Sequence, residues 1–138
     1  MFHNLNFATA THIIALLVLH QDEWVSSSYI AGSVNVNPVI IRKEIKKLKD
    51  SGLLSSKEGK NGGVRLADDI NKKTLADVYL STQQDADMGK FNTPNTLCKV
   101  GRNINSYLAD IYTSVSAQHL ALLSQYKISD IHKFFINK

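Results

Sequence analysis

Cysteine is almost missing from this 138-residue chain: Cys98 is the only one. A lone thiol excludes an internal disulfide, and alone it cannot build a cysteine-based zinc or iron–sulfur site. Proline and glycine are scarce, at 2 and 7 residues, which excludes a collagen-like or low-complexity chain. Long apolar runs are absent too. The longest, Ile13 to Leu19, is too short to span a bilayer as a helix. No basic start leads into an apolar stretch and a small-residue cleavage site, so secretion is not indicated. These absences predict a soluble, cytoplasmic protein with no membrane partner. What is present is a globular composition, 43% hydrophobic and 20% charged. The length suits one domain that buries its core without disulfide or metal.

The net charge of +4 is unevenly placed. Between Asn37 and Arg65 lie Arg42, Lys43, Lys46, Lys47, Lys49, Lys57, Lys60 and Arg65, against Glu44, Asp50 and Glu58. That segment carries +5 and the remainder −1. A basic block on a near-neutral body points to a polyanion-binding face, although most charge runs are solvated helix faces.

Periodicity supplies the elements. Phe7 to His20 reads as a largely buried helix with Asn6 as its cap. A short helix from Ser26 to Ser33, capped by Ser26, turns Tyr29 and Ile30 inward. Val34-Asn35-Val36 makes a tight connection. The third helix has the sharpest boundaries: Asn37 as cap, Pro38 as first residue, Gly52 as left-handed terminator. Its apolar stripe is Ile41, Ile45 and Leu48, and the exposed positions between are basic. Leu53–Lys57 and Val64–Leu66 read as strands joined by the turn Gly59-Lys60-Asn61-Gly62-Gly63. A fourth helix runs from Thr74, its cap, to Thr82, with Leu75, Val78 and Tyr79 inward. Gln83 to Lys99 is polar and aperiodic and reads mostly as a loop. A long helix starts at Val100, with an a/d-like seam of Ile104, Leu108, Ile111, Val115 and Leu122. Such a seam, away from the N-terminal unit, implies a partner helix. The pattern breaks at Lys127-Ile128, and Ser129 caps a last short helix.

The fold predicted is mainly α with a small β-hairpin: a winged helix-turn-helix at 1–83, a linker loop at 84–99, and a dimerisation helix with a C-terminal helix at 100–138. The major groove of double-stranded DNA admits one helix, and recognition helices read bases with their N-terminal residues. Here those are Asn37, Val39, Ile40, Arg42 and Lys43. Arg42 suits guanine O6 and N7, and Val39 suits thymine methyls. Asn37 is also a cap, and Val39 and Ile40 adjoin the core stripe. Lys46, Lys47 and Lys49 suit phosphates or plain solvation. Ser27 and Ser28, at a helix start, suit a phosphate. Lys60 and Asn61, at the hairpin tip, can reach the minor groove.

The stretch SYIAGSVNVNPVIIRKEIKKLKDSGLLSSKEGKNGGVRLADD, followed by TLADVYLS, resembles the Rrf2 family of bacterial transcription regulators. The match covers about the first 83 residues well, and the long helix after a central loop also fits. The resemblance implies a homodimer that binds a palindromic operator, usually as a repressor. Two departures stand out. Many members hold an iron–sulfur cluster on three cysteines in the loop before the dimer helix, where this chain has only Cys98, so no cofactor is expected. The family's wing often carries arginine before its first glycine, where this chain has Glu58, which weakens the wing's phosphate contact. Val39 and Arg42 also differ from other members, so no known operator carries over. Cys98 lies where relatives sense their signal and is a candidate redox sensor, with Lys99 and Arg102 near enough in sequence to lower its pKa. A buried, inert cysteine is the alternative.

Little else in the sequence suggests chemistry. His3, His12, His20, His119 and His132 are scattered without metal spacing, so no metal is expected. His12 reads as a core or boundary residue. Nucleotide loops, nucleophile elbows and zinc-protease motifs are absent, so an enzyme is not indicated. Trp24 reads as an anchor between the first two helices. The alternative to an operator-binding regulator is a winged-helix module for protein assembly. The effector is left open.

Overall fold

A computed structural model describes residues 5–82 and 89–138. The expected loop over 83–88, and His3, lie outside the described residues. Eight helices and strands are labelled in chain order: α1 (Asn6–Leu19), α2 (Ser27–Val34), α3 (Pro38–Asp50), β1 (Leu54–Lys57), β2 (Gly63–Leu66), α4 (Leu75–Thr82), α5 (Lys99–Leu123) and α6 (Ile131–Ile136). The expected architecture of helices plus one antiparallel hairpin is the one found. Among the described residues, no helix is long and apolar enough to cross a membrane.

The core forms where α1 meets α2, α3, α4 and the hairpin. Ile13, Ile14 and Leu17 of α1 are fully buried with Ile30, Ile41, Leu48, Leu53 and Val78. Each such side chain contributes roughly 1.5–3 kcal/mol through removal from water. The start of α1 differs from expectation. Asn6 is already helical and Leu5 holds the cap position, because Thr9 N–H bonds to the Leu5 carbonyl at 2.8 Å. Tyr29 points outward, not inward, at 54% exposure. The buried pair of α2 is Ile30 and Ala31, which leaves the preceding position on the opposite side.

The hairpin register pairs Leu54 with Leu66, Ser55 with Arg65, Ser56 with Val64 and Lys57 with Gly63. A third short partner is present that periodicity missed. Val25, just before α2, pairs antiparallel with Val64 through bonds of 2.9 and 2.8 Å. This bridge fastens the wing to the α1–α2 turn. Gly63 permits it: a Cβ there would collide with the Val25 carbonyl.

α5 spans 25 residues, roughly 37 Å at the helical rise. None of its residues is fully buried. One side carries the 89–98 segment: Tyr112 Oη donates to the Lys90 carbonyl at 2.9 Å, and Asn105 Nδ2 to the Asn92 carbonyl at 3.1 Å. Near its far end, the His119 ring meets Tyr79 of α4 edge-on at 4.6 Å. The chain then returns to the N-terminal unit. Leu75 N–H bonds to the Tyr126 carbonyl at 2.9 Å, and Ile128 N–H to the Lys73 carbonyl at 3.2 Å. Ile128 is fully buried, so the break in the α5 pattern is a core contact. Ser129 lies inside a single 3-10 turn (Ile128–Asp130) and does not cap α6.

Candidate nucleic-acid interface

The helix pair α2–α3 is built by local signals. Ser26 Oγ accepts the Tyr29 N–H at 3.1 Å and caps α2. Asn35, with φ +60, closes α2 in the left-handed conformation, which asparagine tolerates better than most residues. Two residues later Asn37 Oδ1 accepts the Val39 N–H at 2.8 Å, and Pro38 takes the first helical position. Gly52, with φ +79, ends α3, and the Leu53 N–H returns to the Leu48 carbonyl at 3.0 Å. The two helices are thus held at a tight turn by capping, with no long loop to average their orientation.

The faces of α3 separate sharply. Ile41, Glu44 and Leu48 are buried, and Ile45 is half-buried. At about 100° per residue, Val39, Lys43 and Lys46 lie opposite them. Val39 and Ile40 are 50% and 47% exposed, so the pair that adjoins the core stripe is not part of the core. Arg42 and Lys43 are exposed and have no acidic partner among the described residues. Two other lysines are engaged: Lys46 Nζ lies 2.8 Å from Asp50 Oδ2, and Lys47 Nζ 3.2 Å from Glu44 Oε1. The first pair is exposed and worth about 0.3–0.5 kcal/mol, so a phosphate can replace it. The second draws Lys47 inward. Asn37 and Lys49 are exposed as well.

The expected phosphate and minor-groove residues are at the surface. Ser28, Lys60 and Asn61 are exposed and Ser27 half-buried. Ser26 and Tyr29 line one open cleft with Lys60 and Asn61, which brings the start of α2 beside the wing tip. Trp24, expected to anchor the α1–α2 turn, does so through the wing: the Arg65 guanidinium stacks 4.2 Å above its ring. His12 lies at the surface, its Nε2 3.0 Å from Ser33 Oγ.

Three functional features escaped sequence reasoning: the inward Glu44, the outward Tyr29 and the Val25–Val64 bridge. A charged residue inside a basic run carries no sign that it faces the core. The alternation of Val25 with Trp24 is too short to announce a strand.

Along α5, Ile111, Val115 and Leu122 are exposed, and Ile104 and Leu108 are half-buried. Val100 and Tyr107 extend the same apolar side. Cys98 stands exposed at the cap position of α5. Its side chain closes no capping bond, yet the backbone N–H groups of Gly101, then Val100, hold its thiol below the usual cysteine range. The cause is the helix start, not the expected Lys99 and Arg102.

Comparison with known proteins agrees with this architecture. The Rrf2 profile, described as "Iron-dependent Transcriptional regulator", matches residues 4–133. YwnA of Bacillus subtilis (strain 168), provisionally named an HTH-type transcriptional regulator, is 33% identical over 129 residues, 93% of this chain and 95% of that protein. A crystal structure of a provisionally named transcriptional regulator from Lactobacillus plantarum is 30% identical, with a TM-score of 0.75, covering 94% of this chain and 88% of the other. CymR, the global cysteine regulator of B. subtilis, shares the fold at 13% identity, with a TM-score of 0.71 over 97% of this chain and 98% of its own.

The iron in that family description does not fit the residues here. The chain has one cysteine, and it stands alone at the start of α5. Among the described residues no three His, Cys, Asp or Glu side chains gather at metal-binding spacing. A three-cysteine cluster has no donor set on this chain.

Proposed function

This chain belongs to the Rrf2 family of transcriptional regulators, and from that premise we propose that it is a homodimeric repressor of a palindromic operator, with DNA affinity that responds to the Cys98 thiol. The observation that carries the reading is the outer face of α3. Val39 and Ile40 stand exposed beside Arg42 and Lys43, an arrangement with no use inside the fold. In the major groove, Arg42 pairs with a guanine edge, and Val39 and Ile40 meet thymine methyls. Asn37 and Lys43 flank them. Ser27, Ser28 and Lys46 take phosphates, and the wing tip with Lys60 and Asn61 reaches the adjacent minor groove, Asn61 toward the groove and Lys60 toward a phosphate that flanks it.

The apolar side of α5, at Ile104, Leu108, Ile111, Val115 and Leu122, packs against a second copy. A two-fold dimer sets two α3 helices on one face, so half-sites fall about one helical turn apart, or a multiple of it. Cys98 sits between the segment laid along α5 and α5 itself. An adduct there shifts the spacing of the two recognition helices. An exposed thiol of lowered pKa is the form that reacts.

The test is selection of genomic fragments by the purified protein, with and without a mild oxidant. The expected result is enrichment of a palindrome that is lost on oxidation in the wild type and kept in Cys98→Ser. No enrichment even at low salt would favour a protein-assembly module. Enrichment unchanged by oxidation, with mass-spectrometric proof that Cys98 was modified, would remove the thiol response and leave the operator reading standing.

A further inference from the structure

The end of α1, the start of α2 and the wing tip enclose an open cleft of about 500 Å³. His20, Glu23, Trp24, Ser26, Tyr29 and Lys60 are among its lining residues. His20 Nδ1 lies 2.7 Å from Glu23 Oε2. The His20 ring meets the Tyr29 ring edge-on, with centroids 5.7 Å apart. Lys60 has no acidic partner among the described residues. The wing wall is held in place by the Arg65–Trp24 stack and the Val25–Val64 bridge, so the cleft does not depend on a loose hairpin.

The charges around His20 balance closely. Glu23 and the adjoining Asp22 in the turn are negative; Lys60, and Arg65 over Trp24, are positive. The α2 sequence, SSYIAGSV, contributes Tyr29 and no charge. With a neutral imidazole these groups cancel. With a protonated imidazole the cleft gains one positive charge. Ser26, at the start of α2, is part of its wall, and its lining includes a lysine and a phenol.

We propose that this cleft holds one DNA backbone phosphate, on Lys60 and the Tyr29 hydroxyl, and that His20 takes up a proton from solvent as the phosphate enters. The proposal rests on the DNA-binding reading and adds to it a contact and a control: the grip tightens as pH falls through the imidazole range of about 5–8. Each cleft takes up one proton, so the gain is bounded by about tenfold per pH unit per cleft. The added charge also steepens the salt dependence by about one unit for each phosphate so held.

The experiment is fluorescence anisotropy with a short labelled duplex of mixed sequence, since phosphate contacts do not depend on sequence. Affinity is titrated against salt at about pH 6 and about pH 8, for wild type, His20→Gln, Glu23→Gln and Lys60→Gln. Far-UV circular dichroism verifies that each variant is folded. Wild type should bind several-fold more tightly at the lower pH, with a steeper salt slope. His20→Gln should lose most of that difference, while the other histidines remain as an internal control. Glu23→Gln removes the opposing charge and should bind more tightly than wild type at the higher pH. Lys60→Gln should bind more weakly at both. A His20→Gln protein that keeps the full wild-type pH dependence would overturn the proposal, as would Glu23→Gln binding no tighter than wild type. A wild type that binds no duplex at either pH would instead defeat the DNA-binding reading, and this proposal with it.

Discussion

Replacing Glu44 by methionine should make the protein more stable, although it removes an ion pair. Glu44 is 3% exposed and sits on the buried stripe of α3 between Ile41 and Leu48. Its Oε1 accepts from Lys47 Nζ at 3.2 Å, while its Oε2 is buried without a hydrogen-bond partner. Loss of the Lys47 pair costs about 0.2–1 kcal/mol. Relief of an orphaned buried acceptor returns about 1–3 kcal/mol, and the thioether chain adds apolar burial among Ile41 and Leu48. Removing one partner of a buried pair is costly only where the other charge stays buried; the Lys47 side chain is 28% exposed and its ammonium can turn to water, so a net gain of roughly 1–3 kcal/mol is expected. For a chain of this length 1 kcal/mol moves the midpoint by roughly 3–4 °C, which gives a rise of about 3–12 °C. The assay is thermal unfolding of both proteins at one concentration, because a dimer's midpoint depends on concentration. A second readout is independent of stability. Lys47, released from its partner, should steepen the salt dependence of DNA binding by about one unit per protomer. A fall in Tm of several degrees would refute the reasoning and show that the carboxylate holds α3 in place.

Three further outcomes are expected. If α5 pairs two copies as proposed, the wild type should sediment as a dimer and Leu108→Asp with Ile111→Asp as a monomer, at a cost of several kcal/mol for burying unpaired charge; a double variant that stays dimeric would place the interface elsewhere. Arg42→Ala should cost about 1–3 kcal/mol of operator binding and relax preference at particular base pairs. Lys46→Ala should weaken all sequences alike and flatten the salt slope by about one unit per contact; unchanged preference in Arg42→Ala would remove that residue from base reading. Gly63→Ala should push the wing off Val25, because the new methyl meets the Val25 carbonyl. DNA binding should then drop with the helices intact, as read by anisotropy beside circular dichroism; full affinity would mean that the wing is not used.

Much of this protein is written in short-range chemistry, and that part was legible in sequence. Asn37-Pro38 and Gly52 delimit α3 because caps and terminators act within a few bonds of themselves. The GKNGG turn announces the hairpin for the same reason. The outward basic run of α3 and the unburied seam of α5 follow from helical periodicity. What periodicity assigns is a face, however, and a face acquires meaning only from what lies opposite. Tyr29 reads as an inward aromatic until Ile30 and Ala31 take the core side of α2. Ile128 reads as a break in a helix until the chain returns to Lys73 and buries it. Ser129 and Asn6 are good capping residues that lost their ends to neighbouring backbone bonds. Glu44 counts as one acid in a basic block until packing turns it inward. The cleft joins residues some forty positions apart, His20 and Lys60, and no local rule relates them. Local propensity thus determined where the elements begin and end. Only the tertiary structure decided which side chains share a wall, because that depends on contacts between segments distant in sequence.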